Sequence, residues 1–147
     1  SWATHPGGAH SLAYSPRHQL LVSGGKEGDL CVFDLRQRVL LRTISRAHAL
    51  NIKCLALAPD ESLLASGSTD GAVRVWDLGG AAVLAEREHW ADVHEKRTFM
   101  KPTTGFFSRP ISTYGAMDVA FANGRLLSCG ADGRLLSRPI FSASTRS

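Results

Sequence analysis

Two stretches of the chain superimpose without a gap at an offset of 43 residues, and no other feature constrains the fold as tightly. Residues 5–35 (HPGGAHSLAYSPRHQLLVSGGKEGDLCVFDL) align on residues 48–78 (HALNIKCLALAPDESLLASGSTDGAVRVWDL). His5 falls on His48, Leu12 on Leu55, Pro16 on Pro59, Ser23-Gly24 on Ser66-Gly67, Gly28 on Gly71 and Asp34-Leu35 on Asp77-Leu78. A weaker third copy sets Ser128, Asp132-Gly133 and Ile140 on Ser66, Asp70-Gly71 and Leu78 at an offset of 62. A repeat of this period is one supersecondary unit that cannot bury its apolar face alone, so neighbouring copies must stack.

Alternation and turn residues place four strands in the second copy. Ile52–Leu57 reads as the inner strand, ended by Pro59-Asp60, which cannot extend a central ladder. Leu63–Ser66 follows, then a tight turn at Thr69-Asp70-Gly71, then Val73–Asp77 and an outer strand over Ala81–Glu86. Four short strands at this period, closing on Trp-Asp, are the signature of a β-propeller blade. The fold class is therefore all-β, a partial β-propeller of about three blades. Propellers close with roughly four to eight blades, so the chain is expected to be the C-terminal part of a larger ring.

The resulting division is residues 1–46 and 47–86 as two blades, 87–113 as an insertion, 114–141 as a degenerate last blade and 142–147 as a tail. Within the insertion, Glu86–Thr98 lacks turn residues and predicts a short amphipathic helix with Trp90 and Val93 inward. Lys101–Pro110 predicts a loop. Long loops in compact folds often carry function, which makes Trp90, Phe106 and Phe107 candidate partner contacts. Lys26, Thr69 and Ala131, each just before a turn acid, are further candidates expected to project at one rim.

A net charge of +4 and a pI near 9.3 favour acidic partners only modestly, too little to mark a nucleic-acid binder. The basic stretch Arg36-Gln37-Arg38, continuing to Arg42 and Arg46, falls on the outermost strand of the first blade, where charge deters edge pairing. Cys31, Cys54 and Cys129 are odd in number and form no C-x-x-C pair, which reads as buried free thiols in a reducing compartment. No apolar run approaches the length of a membrane span.

Four residues of the second copy, His48, Ser66, Asp70 and Trp76, combine the side chains of a nucleophilic triad with an indole. They read instead as a structural tetrad: a buried Trp N–H and Ser hydroxyl need partners, and a His bridging to Asp supplies them. A hydroxyl consumed by such a network cannot attack a substrate, so no catalytic residue and no enzyme activity is assigned. The first copy keeps His5 and Ser23 with Glu27 and Phe33 at the other two positions. The third has Ser128 and Asp132, with Arg138 in place of Trp. His89 and His94, among Glu86, Glu88 and Glu95, read as a solvated helix face, since their H-x₄-H spacing does not put both rings on one side. Gly24–Asp29 (GGKEGD) lacks the P-loop pattern and reads as a β-turn. Neither a metal nor a cofactor is expected.

The repeats resemble WD40 repeats, carried by SGS-x-DG-x-V-R-V-WD at residues 66–77. A narrower resemblance, to the C-terminal WD40 repeats of the DmX-like (rabconnectin) family, rests on GGAHSLAYSPRHQLLVSGGKEG followed by CVFDLRQR. It is extended by Trp76-Asp77-Leu78, Glu88-His89, Gly115-x-Met117, SCGADG and Arg138-Pro139-Ile140 in the same order. The chain departs from that family in HWADVHEKRTFMKPTTGFFSRP, so no contact is carried over there.

The resemblance implies a non-catalytic protein-interaction scaffold in a regulator of V-ATPase assembly and of vacuolar or vesicle acidification. The implied partners are V1 and Vo subunits and a second WD-repeat protein, with no small-molecule substrate. The implied location is cytoplasmic, peripheral to endosomal or synaptic vesicle membranes, with membranes met only through partners. The alternative, drawn from the pI and the Arg36–Arg46 stretch, is a WD40 scaffold subunit of an RNA or chromatin complex.

Overall fold

The computed structural model describes residues 4–78, 85–90, 94, 96–101 and 109–140. These build antiparallel sheets that stack as blades. Blade 1 is β1 (Ala9–Ser15), β2 (Leu20–Gly25), β3 (Leu30–Asp34) and β4 (Val39–Ile44), in that spatial order. Blade 2 repeats it with β5 (Ile52–Leu57), β6 (Leu63–Ser68), β7 (Val73–Asp77) and β8 (Ala85–Trp90). A separate hairpin pairs β9 (Lys96–Lys101) with β10 (Arg109–Tyr114). Blade 3 is β11 (Ala116–Ala122), β12 (Arg125–Gly130) and β13 (Leu135–Pro139).

The 43-residue offset survives as register. Leu12 pairs with Ser23 as Leu55 pairs with Ser66, and Leu21 pairs with Phe33 as Leu64 pairs with Trp76. Blade 3 continues the series with Val119 opposite Ser128 and Leu126 opposite Arg138, so Arg138 does occupy the tryptophan position. Each inner strand carries a bulge at its start, at Ala9/Ser11, Ile52/Cys54 and Ala116/Asp118. Such bulges deepen the local twist, and here they fall at the same place in all three blades.

Two apolar cores lie between successive blades. The first packs Leu20, Val22, Leu30 and Val32 of blade 1 against Ile52, Leu64 and Trp76 of blade 2. The second packs Ala65, Val73 and Val75 of blade 2 against Ala116, Val119 and Leu126 of blade 3. Blade 2 is thus covered on both faces, and all six residues of β6 are buried. Each Val, Leu or Ile so buried contributes about 1.5–3 kcal/mol, which concentrates stability in the middle blade. On the outer faces of the flanking blades, Leu12 is 65% and Leu135 73% exposed.

Three sequence expectations are revised here. The helix expected over Glu86–Thr98 is absent: Ala85–Trp90 and Lys96–Lys101 are strands, and no helix occurs among the described residues. The outer strand of blade 2 therefore runs through Trp90, beyond the expected end at Glu86, while residues 81–84 lie outside the described residues. The segment set aside as an insertion splits into the end of blade 2 and a hairpin. Outer strands pair on one side only, so Glu86, Arg87 and Glu88 show a charged sequence without the alternation that reveals inner strands.

Candidate interaction rim

The strand order divides the connections between two rims. One rim carries the β2–β3, β6–β7 and β12–β13 turns together with the segments that lead into each blade. Each turn is tied to the entry segment of its own blade by one backbone bond. Lys26 N–H donates to Gly8 O, Thr69 N–H to Asn51 O, and Ala131 N–H to Gly115 O, at 2.9, 3.0 and 3.0 Å. The three candidate contacts thus occupy one structural position on one rim. Lys26 is exposed and Ala131 half-exposed, whereas Thr69 is buried and turns its hydroxyl toward Asn51 O, so it offers the least surface.

Behind this rim lie the tetrads. In blade 2, Ser66 Oγ accepts from Trp76 Nε1–H at 3.0 Å and meets His48 Nε2 at 2.7 Å, all three side chains being buried. Asp70 Oδ2 stands 3.3 Å from His48 Nδ1 at an angle that makes the pair Coulombic rather than a well-aligned hydrogen bond. The better-aligned bonds to Asp70 come from Ala72 N–H at 2.8 Å and Ala49 N–H at 2.9 Å. Burial pushes the Asp70 carboxyl up, but His48 and these two N–H groups outweigh it and bring it down to about 2. Blade 1 holds His5 Nε2 at 2.7 Å from Ser23 Oγ, with Phe33 buried where the tryptophan stands in blade 2.

Blade 3 corrects the reading of His94. It is no solvated helix residue: its side chain is fully buried, with Nε2 2.9 Å from Ser128 Oγ and Nδ1 3.1 Å from Asp132 Oδ1. His94 is the tetrad histidine of blade 3, parted from β11 by the β9–β10 hairpin. The usable signal was its place behind the preceding turn glycine: Gly71 precedes His94 much as Gly28 precedes His48. The structure makes that relation physical, since His48 N–H donates to Gly28 O and His94 N–H to Gly71 O, at 3.0 and 3.1 Å. Each blade's turn glycine therefore seats the next blade's histidine.

The hairpin emerges from the same rim, between His94 and β11. Lys96, Arg97, Lys101 and Arg109 lie in its strands, and no acidic residue occurs between Glu95 and Asp118. Phe106 and Phe107 lie outside the described residues. Trp90, the third aromatic candidate, is half-buried at the junction of blades 2 and 3, with the Arg138 guanidinium 4.8 Å from its ring centroid. The side chain that replaces the blade 3 tryptophan is thus held by an indole from blade 2. Cys31, Cys54 and Cys129 are unbridged, and Cys54 is sealed in the second core. Burial, with Asp118 close by, pushes its thiol up to about 12.

A family profile described as WD domain, G-beta repeat matches residues 1–34 and 38–77. The chain belongs to the WD40 repeat family. Mouse DmX-like protein 1 is 46% identical to this WD40 chain over 56 residues, covering 38% of it and 2% of the relative. The human protein is 45% identical over 56 residues, with the same coverage, so the chain spans a small part of the relatives it matches. This supports the resemblance to a DmX-like WD40 region. Among solved structures, Sqt1 from Chaetomium thermophilum superimposes with a TM-score of 0.72 at 26% identity, covering 95% of this chain and 32% of that one. A second Sqt1 structure, bound to the N-terminus of the ribosomal protein L10, gives 0.70 at 26%, covering 91% and 32%. The RRP9 WD40 repeats give 0.70 at 16%, covering 99% and 38%, a likeness of fold alone. The partial propeller is thereby shown, and no catalytic family is indicated.

Proposed function

We propose that this WD40 region is a protein-docking scaffold within a regulator of V-ATPase assembly, and so of vacuolar and vesicle acidification. The observation that carries the reading is the 46% identity to DmX-like protein 1 over 56 residues. The geometry supports the docking part. Ser66 is occupied by Trp76 and His48, so the triad-like residues brace blade 2 from within and leave recognition to the rim. The complex of Sqt1 with the ribosomal protein L10 N-terminus is a related fold that holds a protein segment. The partners proposed are V1 and Vo subunits and a second WD-repeat protein, met at vesicle membranes from the cytoplasmic side.

The test is co-purification of V1 and Vo subunits with the tagged full-length protein, wild type against Lys26→Ala combined with Phe106→Ala and Phe107→Ala. A severalfold loss of recovered subunits with unchanged expression is expected, because a few anchors carry most of an interface's energy. Recovery equal to wild type overturns the rim as the docking surface. Retention on RNA that weakens steeply with salt would replace the reading with the RNA-complex alternative, which the basic hairpin favours.

A further inference from the structure

The opposite rim carries the β1–β2, β5–β6 and β11–β12 turns, and there the two blade junctions differ. At the first junction, Glu61 reaches from blade 2 onto blade 1. Its Oε1 accepts from Ser15 Oγ at 2.9 Å and from Arg17 N–H at 3.2 Å, while Arg17 Nη1 donates to Asp60 O at 3.4 Å. A carboxylate on a long stem thus fills a socket made by Ser15 and Arg17. The connection that supplies it, Ala58–Ser62, is matched in blade 1 by Pro16–Gln19.

In blade 3 the same connection is only Asn123-Gly124, a tight turn with both residues at positive φ, 50° and 71°. Neither residue of that turn has a side chain long enough to reach back as Glu61 does. The second junction is accordingly left with an open cavity of about 270 Å³, lined by Ala58, Leu63, Phe121, Ile140, Ser62 and Asp60. That volume is below the range of about 300–1,000 Å³ usual for small-molecule pockets and suits a single long side chain.

The side chains at the empty socket differ from those at the filled one, where the Ser15 hydroxyl and the Arg17 backbone N–H hold Glu61 and the Arg17 guanidinium lies on Asp60 O. By the 43-residue offset, Ser15 becomes Ala58 and Arg17 becomes Asp60. The hydroxyl that received Glu61 is now a methyl group, and the basic residue is now a carboxylate. Asp60 is the one charged residue in the lining among the described residues, and it is exposed at the mouth. Its Oδ1 accepts from Ser62 Oγ–H at 2.7 Å and Ser62 N–H at 3.0 Å, which fixes the carboxylate in place and keeps it ionised.

We propose that the groove between blades 2 and 3 on this rim receives an arginine side chain from a partner polypeptide. The methylene stem lies along Ala58, Leu63, Phe121 and Ile140, and the guanidinium pairs with Asp60. Arginine suits the place better than lysine because its planar head is more weakly hydrated and loses less on leaving water. The site is independent of the rim that carries Lys26 and the hairpin, so either docking surface can fail without the other.

The test is methyl-detected NMR of the full chain, titrated with the Nα-acetyl methylamides of arginine, citrulline, norleucine and glutamate. Arginine is expected to shift the methyls of Ala58, Leu63 and Ile140, with citrulline roughly threefold weaker, the size of an exposed ion pair. In Asp60→Asn, whose amide oxygen still accepts from Ser62, arginine and citrulline should become equal. A second variant lengthens the Asn123-Gly124 turn by two residues and should remove the response. Equal response to arginine and norleucine assigns an apolar occupant and overturns the proposal. So do a response to glutamate, shifts confined to other methyls, no response up to the solubility of the arginine probe, or an Asp60→Asn protein that still prefers arginine.

Discussion

His94 Nε2 lies 2.9 Å from Ser128 Oγ across 34 positions of sequence, whereas the corresponding pairs His5–Ser23 and His48–Ser66 are each 18 apart. The β9–β10 hairpin accounts for the difference, because it enters the chain between the histidine and the strand it braces. With His94 and Asp132 both fully buried at their side chains, Ser128→Ala or His94→Ala leaves a polar group without its partner. Either change should cost about 1–3 kcal/mol, read from the urea midpoint of the protein at constant m-value. Ser66→Ala should cost more than Ser128→Ala, because it strands both Trp76 Nε1–H and His48 Nε2. Equal midpoints for the two serine variants would show that the indole bond contributes nothing.

The turn glycines give a second, sharper contrast. A Cβ added at Gly71 would stand 2.3 Å from His94 O, and one at Gly28 would stand 2.0 Å from His48 O, with φ at +86° and +88°. Both positions combine left-handed backbone with a backbone neighbour that cannot yield. Gly133 has φ at +78° but nothing within 4 Å. Gly133→Ala should therefore cost only the conformational strain, about 1–2 kcal/mol. Gly71→Ala should cost at least twice that by displacing the His94 segment. Thermal melts of the two variants side by side decide the matter, and matching losses would rule out the seating of one blade's histidine by its neighbour's turn.

The inner strands were legible because they pack against neighbouring blades and end at turn residues, so alternation and turn chemistry are written into the sequence. Ile52–Leu57 and Val73–Asp77 run as expected. His94 was obscured for two physical reasons. Its strand-ward spacing was broken by the hairpin, and its neighbours Asp92, Glu95 and Lys96 carry the charge pattern of a solvated helix. Arg138 was legible as a missing tryptophan, but its partner was not, since Trp90 reaches it from another blade. Among the described residues, a side-chain contact of this kind between blades has no counterpart at the other junction and emerges only once the sheets are stacked.

Cys54 offers a chemical test of that stacking. It is enclosed between blades 2 and 3, its thiol bonds Gly67 O at 3.6 Å, and its pKa is pushed up to about 12. Only the thiolate alkylates, so at pH 8 iodoacetamide should leave Cys54 unmodified in the folded protein and modify it after urea unfolding. Peptide mapping by mass spectrometry reads the site. Rapid native labelling of Cys54 would mean that the second core opens readily.

The Asp70 carboxylate sets an acid limit on blade 2. Its folded pKa is about 2 against an ordinary 3.8, so the folded state binds its proton less readily than the unfolded state does. Stability from this group is then fully present above about pH 4 and is lost as pH falls through 3.8 toward 2, amounting to about 2 kcal/mol. The side chain is 10% exposed, so solvent screens little of it. Ala72 N–H and Ala49 N–H bond different oxygens of Asp70, so Asp70→Asn keeps an acceptor for one of them, turns an amide NH2 toward the other and removes the charge beside His48. The variant should be less stable than wild type at pH 7 and converge on it near pH 2, as measured by urea unfolding across that range. Parallel pH profiles for the two proteins would place the acid sensitivity elsewhere in the chain.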